Sequence, residues 1–249
     1  MSRRARPTTD GVDSRAQSHV VGVVLLVGIT VVALGTLTAT VGTVVEQNAA
    51  TADADRVATD VDAALDPVEA TGRNRGRVSF TDGQLHTESR DLRLLDETGV
   101  VQRVRVDALV FEAGRNRVAF VGGAIVRGRP GSASLRDPPL VTASRDGDGG
   151  VLVVGAATLG EPNAVGGEQV SLTLATDVSH DRTSHGDGHY RVAIETATPG
   201  AFERWFAERG VSTERRDIDD DGVESVVATY EGRRTAYLVV HHLNTEVET

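Results

Sequence analysis

Hydrophobic and polar positions along the chain fall into three regimes. Residues 17–45, QSHVVGVVLLVGITVVALGTLTATVGTVV, hold no Asp, Glu, Lys or Arg, and from Val20 onward nearly every position is apolar, Gly or Thr. About 20 such residues cross a bilayer core as a helix, so this stretch predicts a transmembrane segment. Next, Ala50, Ala54, Val57, Val61, Leu65 and Val68 recur at three and four, with Asp53, Asp55, Asp60 and Asp62 off that stripe. That spacing predicts one long helix from near Val20 to Asp66, amphipathic in its second half and ended by Pro67 and Gly72.

Beyond Gly72 the period changes to two. RVSF, QLHTES, DLRLLD, VQRVRVDALVFE, NRVAFVGGAIVRG, PLVTAS and GVLVVGAAT each read as a strand, with turns expected at TDG, ETG, EAGRN and RDGDGG. QVSLTLATD and YRVAIETA follow, separated by the loop HDRTSHGDGHY. Thr198 and Pro199 then read as the N-cap and first position of a short helix whose Phe202, Trp205 and Phe206 share a face. Strands close the chain at STERRDI, GVESVVATYE and RRTAYLVVHHLN. The fold class is therefore α+β: a long N-terminal helix, then a mostly antiparallel β-rich head with one short helix. The boundaries are a leader at 1–16, the membrane-spanning helix at 17–46, its amphipathic continuation at 47–70 and the head at 71–249. The head is one unit or two joined halves, 71–165 and 166–249.

Composition sharpens this picture. The chain has 249 residues, a net charge of −10 and no Cys. Every basic side chain is Arg, since Lys is absent. Arg3, Arg4, Arg6 and Arg15 precede the apolar run, and Glu46, Asp53 and Asp55 follow it, an asymmetry that keeps the N-terminus cytoplasmic and the head outside. The acidic balance, without a basic stripe carrying aromatics, argues against nucleic acid as a partner. A lysine-free acidic chain looks like the product of a salt-loving archaeon, where a Debye length of roughly 3 Å or less removes long-range steering.

Arg15-Ala16-Gln17-Ser18, directly before the apolar run, resembles the processing site of archaeal type IV prepilins, and SHVVGVVLLVGITVVA is similar to the start of haloarchaeal pilins. The resemblance implies a class III signal peptide cut by a prepilin peptidase between Ala16 and Gln17, leaving the apolar helix in the mature protein. His19 stands where those pilins often have Pro or Glu, and Val21 where bacterial pilins have Glu. VAFVGGAIVRG followed by DPPL resembles an uncharacterised family of haloarchaeal pilin-like proteins, through Gly122, Gly123 and Arg127. An uncut single-pass anchor, or a secretory signal cleaved near Ala49 or Ala52, are the other readings of the same helix. Within it Gly28, Gly35 and Gly42 recur every seven residues and Ala39 extends that side, which reads either as a face for close packing against other pilin subunits or as the ordinary glycine content of a membrane helix.

Candidate chemistry is sparse. Asp217, Asp219, Asp221 and Gly222 open like a calcium loop, but Ala228 occupies the twelfth position, where an EF-hand needs Glu. A solvated acidic turn is the first reading, and calcium is the cofactor a looser site would take. His180, His185 and His189, with Asp181 and Asp187 among them, offer donors for a transition metal without any helical metal-site spacing. His241 and His242 are adjacent in a strand, so they face opposite ways, one of them buried. No nucleophile elbow, phosphate loop or dinucleotide fingerprint is present. The expectation is a non-enzymatic pilin-like or accessory pilin subunit on the cell surface. An anchored binding or adhesion protein without a filament is the alternative, followed by a metal-dependent surface enzyme.

Overall fold

The computed structural model describes residues 13–65, 70–144, 149–160 and 164–248, with side chains described from residue 22. The chain divides into two compact units, residues 1–48 and 49–249. Helix α1, Asp13–Leu65, supplies the first unit and the opening of the second. Pro67 and Val68, expected to end and extend it, lie outside the described residues.

The second unit has three layers. Its large sheet has ten strands, ordered β7-β6-β5-β4-β1-β10-β14-β9-β8 with β15 added beside β10. These are β1 (Gly72–Glu88), β4 (Ala108–Ala113), β5 (Asn116–Val121), β6 (Ala124–Arg127), β7 (Ser134–Asp137), β8 (Val141–Ala143), β9 (Gly150–Thr158), β10 (Val165–Gly188), β14 (Arg234–His242) and β15 (Glu246–Glu248). The smaller sheet runs β12-β13-β11-β2-β3, from β2 (Asp91–Asp96), β3 (Gly99–Arg105), β11 (Arg191–Glu195), β12 (Ser212–Arg216) and β13 (Ser225–Thr229). All pairs are antiparallel except β14 with β9. Both sheets draw strands from 71–165 and from 166–249, so those stretches interleave and are not separate halves.

Alternation explains the layering. On β4, Ala108 and Val110 enter a core shared with the small sheet and helix α2 (Pro199–Ala207), while Leu109 and Phe111 enter a second core under the last turns of α1. The large sheet is thus covered on both faces, which is why ALVFEA and RVAFV read as continuous apolar runs. In the second core Ala54, Val57, Val61 and Leu65 of the expected stripe are buried, Ala50 is partly buried, and Ala58 and Ala64 join them from outside it.

Several local expectations change. VQRVRVDALVFE is two strands in different sheets, because Asp107 adopts a left-handed φ of 49° and turns the chain between them. NRVAFVGGAIVRG is a hairpin: Gly122 (φ 59°) and Gly123 (φ 101°) make its two-residue turn, a conformation side chains disfavour. A Cβ on Gly123 would also lie 2.6 Å from Leu140 Cδ1. HDRTSHGDGHY is largely strand, since β10 continues to Gly188 against β14. Its side chains are mostly polar, so no apolar alternation marks it, and besides the ladder it is held by His180 against His241, Asp181 against His242 and Asp187 against Arg233.

TDG is likewise no turn but the middle of β1. There the Asp53 carboxylate, on α1 and only 2% exposed, accepts the amides of Thr81 (2.8 Å) and Asp82 (3.3 Å) and the Thr81 hydroxyl (3.1 Å). Asp60 accepts the Ser79 amide at 3.1 Å, and Asn74 Nδ2 donates to the Ala64 carbonyl at 2.8 Å. Gly76 allows the approach, because any Cβ there would overlap Ala64. Asp55 and Asp62 pair with Arg127 and Arg136 on β6 and β7. Asp53 was expected on the solvent face with the other aspartates; its burial is explained by the β1 amides it satisfies.

Replacing Asp53 by Ala orphans two strand amides in a buried place. The expected loss is about 2–3 kcal/mol in chemical denaturation of the detergent-solubilised chain, against under about 1 kcal/mol for Asp62→Asn, whose pair is half-exposed.

Candidate functional site

From residue 22 to 45 every side chain of α1 is exposed, with Leu26, Ile29 and Leu34 at 68%, 68% and 58%. Five threonines sit in this stretch without leaving a free hydroxyl. Thr30, Thr36, Thr38, Thr40 and Thr43 each donate to a carbonyl one turn back, at 2.8–2.9 Å. Such back-bonding satisfies the polar group inside the helix, as a hydrocarbon surrounding requires. By length and composition this helix can cross a membrane. A Cβ built on Gly28, Gly35 or Gly42 meets nothing within 4 Å, so that side, with Ala39, is open. Arg15, Ala16, Gln17 and Ser18 belong to α1, but their side chains lie outside the described residues, as does the leader before Asp13.

The acidic turn 217–223 is organised by its own carboxylates and by two arginines. Asp217 accepts the amides of Asp221 (3.3 Å) and Gly222 (2.9 Å), and Asp221 accepts that of Val223 (2.9 Å). Asp219 reaches inward instead. Both its oxygens take Arg93 Nη2, at 2.6 and 2.5 Å, and Arg103 lies 3.0 Å away. Arg93, 1% exposed, also donates to Asp91 at 2.8 Å and Glu195 at 3.1 Å. Oxygens of Asp91, Glu195 and Asp219 lie within 4.8 Å of one another, a spacing a metal ion could use. Here the Arg93 guanidinium sits among them and supplies the counter-charge. Burial raises the Glu195 pKa, with Arg93 pulling the other way. Nothing in DLRLLD marks Arg93 as buried, because between inward Leu92 and Leu94 alternation places it on the opposite face, which in a one-sided strand is solvent.

The histidines separate. His180 and His241 face each other across the β10–β14 ladder, Nδ1 to Nδ1 3.0 Å, with rings edge to face. His242 points to the opposite side, 3.1 Å from Asp181 and 3.2 Å from the Thr158 hydroxyl. One of the adjacent pair is buried, as alternation requires: His241 is 8% exposed. His185, whose carbonyl accepts the Tyr190 hydroxyl at 2.6 Å, lies five strand residues from His180, about 17 Å along β10. His189 follows the end of that strand and is exposed. His180, His185 and His189 therefore do not converge on one point.

The aromatic trio of α2 also divides. Phe202 and Phe206 are fully buried, while Trp205 is partly exposed. Thr198 occupies the N-cap position, but its hydroxyl lies 3.3 Å from that of Thr196 and caps no amide. Trp205 borders a cleft of about 1240 Å³ around edge strand β8, which α2, β13 and β14 also line.

A family model described as a family of unknown function, DUF7289, matches residues 15–246. The chain belongs to that family. DUF7289 in this chain takes in α1 as well as the head, so helix and head are one sequence unit. No curated protein and no solved structure matches the chain.

Replacing Arg93 by Met would strand Asp91 and Glu195 without their buried partner. A loss of roughly 3–5 kcal/mol is expected in urea denaturation, whereas Arg103→Met, at a half-exposed position, should cost under about 1 kcal/mol.

Proposed function

We propose that this protein is a pilin-like surface subunit, held in the cell membrane by α1 with its head outside and then assembled through that helix into a type IV pilus-type structure. The observation that carries the proposal is the wholly exposed apolar stretch of α1, whose threonine hydroxyls are already bonded within the helix. A helix of this kind needs hydrocarbon or other helices around it, and a filament core supplies the second once the membrane has supplied the first. The small-residue side at Gly28, Gly35, Ala39 and Gly42 suits close approach of neighbouring subunits. Arg15-Ala16-Gln17-Ser18 supports processing by a prepilin peptidase between Ala16 and Gln17. The arginines before the helix and the acids after it support an outward head, and the acidic lysine-free composition supports a halophilic archaeal setting. A head of this size favours an accessory subunit over the main repeating one.

A single-pass binding or adhesion protein without a filament is the second reading, favoured by the cleft beside Trp205. In both, the work is anchoring and contact rather than catalysis. Mass spectrometry of the mature N-terminus, in membrane and shed-surface fractions, separates them. A chain starting at Gln17 is expected. One that retains residues 2–16 would leave only the uncut anchor, and one starting near Ala50 would make the helix a removed signal.

A further inference from the structure

The cleft around β8 concentrates what the rest of this acidic chain spreads out. Trp205, Arg209, Tyr230, Glu231 and Arg234 line it together, so among the described residues two guanidiniums and one carboxylate border it, in a molecule of net charge −10. Both guanidiniums are held in place before any ligand arrives. Arg209 Cζ lies over the Trp205 ring, 4.0 Å from its centroid, and Nη1 donates to the Trp205 carbonyl at 3.1 Å. Trp205 is fixed in turn by Phe206, edge to face at 4.8 Å. Arg234 is only 6% exposed and sits 5.9 Å from the Tyr230 ring. Its Nε donates to the Glu231 carbonyl at 3.2 Å and its Nη1 to the Ser144 carbonyl at 2.8 Å. Among the described residues Nη2 has no hydrogen-bond partner, and Arg234 borders the cleft.

A planar guanidinium with free donors matches a carboxylate or sulfate in bidentate fashion, and fixing it on an aromatic ring reduces the ordering cost of binding. The remaining wall offers hydroxyls, from Ser212 and Thr229, beside aromatic rings. That mixture fits a sugar ring carrying an acid group. It fits a peptide less well, because strand addition needs a row of unpaired backbone groups. β8 is three residues long, and its Val141 amide already bonds the Pro139 carbonyl at 2.7 Å. We infer that the cleft is a binding site for acidic polysaccharide, uronate or sulfated, with Arg209 and Arg234 taking the acid group and the ring-and-hydroxyl wall taking the sugar. The inference adds a ligand to the head, and it depends on the surface-protein proposal only for where that ligand is met.

The test uses the full chain in detergent. Trp205 is the single tryptophan, so its emission reports on the cleft, and titration calorimetry gives an independent measure. The probes are a galacturonic acid oligomer, a neutral malto-oligosaccharide of equal length and poly-glutamate. Saturable binding of the uronate oligomer is expected, weakened about tenfold by Arg209→Gln, equivalent to 1.4 kcal/mol. Arg209 is half-exposed, so that variant should unfold at the same denaturant concentration as the parent. Arg209→Lys keeps the charge but loses the fork, and should recover only part of the affinity. Absence of saturable uronate binding, equal binding of the neutral sugar, or an Arg209→Gln variant of unchanged affinity would each overturn the inference. Poly-glutamate binding as tight as the uronate would overturn the sugar assignment in favour of an acidic peptide. None of these outcomes alters the mature N-terminus, so this inference and the proposed function fail separately.

Discussion

An apolar helix surface of more than twenty residues is unfavourable in water, at roughly 25 cal/mol per Å² of exposed apolar area, and that constraint governs the rest of the molecule. From residue 22 to 45 α1 offers nothing polar to offset it: no charged side chain, and threonine hydroxyls already spent on its own carbonyls. The same helix then changes character. Beyond Glu46 its aspartates become docking groups, and Asp53 and Asp60 take strand amides of β1 as a neighbouring strand would. The apolar stretch therefore comes to the head already joined to its core, through Ala54, Val57, Val61 and Leu65.

The head answers with two covered faces on one large sheet. One face belongs to α1 and the other to the small sheet and α2, and strands such as β4 and β5 serve both by alternation. Charge is handled in the same economical way. Outside the core, the small sheet gathers Asp91, Glu195 and Asp219 around Arg93, so an acidic turn that resembles an ion loop is tied down by a guanidinium. At high salt, contacts of this buried kind keep their strength where exposed pairs are screened. β10 is the joint of the large sheet, pairing with β1 over its first half and with β14 over its second.

Long periodic stretches were legible from residues alone: α1 with its buried stripe, the short helix at Pro199, most strands and the α+β class. What escaped the pattern has physical causes. Asp53 looked like solvent face because its partners are amides that no side-chain pattern displays. The second half of β10 reads as a loop because its side chains are mostly polar, and its pairing with β14, by ladder and by polar side-chain contacts, shows in no apolar alternation. Paired glycines inside NRVAFVGGAIVRG hid a hairpin turn within an apolar run. Arg93 and the cleft around Trp205 needed three dimensions, since Glu195 and Asp219 lie more than a hundred residues from Arg93 and the cleft draws on six different elements.

The absence of native cysteine makes one measurement especially direct. Single-cysteine chains, Val32→Cys in the apolar stretch and Glu208→Cys on the exposed end of α2, can be treated in intact cells with a membrane-impermeant maleimide. The account predicts prompt labelling of Glu208→Cys and none of Val32→Cys until the sample is denatured in detergent. Labelling of Val32→Cys in intact cells at a comparable rate, or of Glu208→Cys only after lysis, would contradict it.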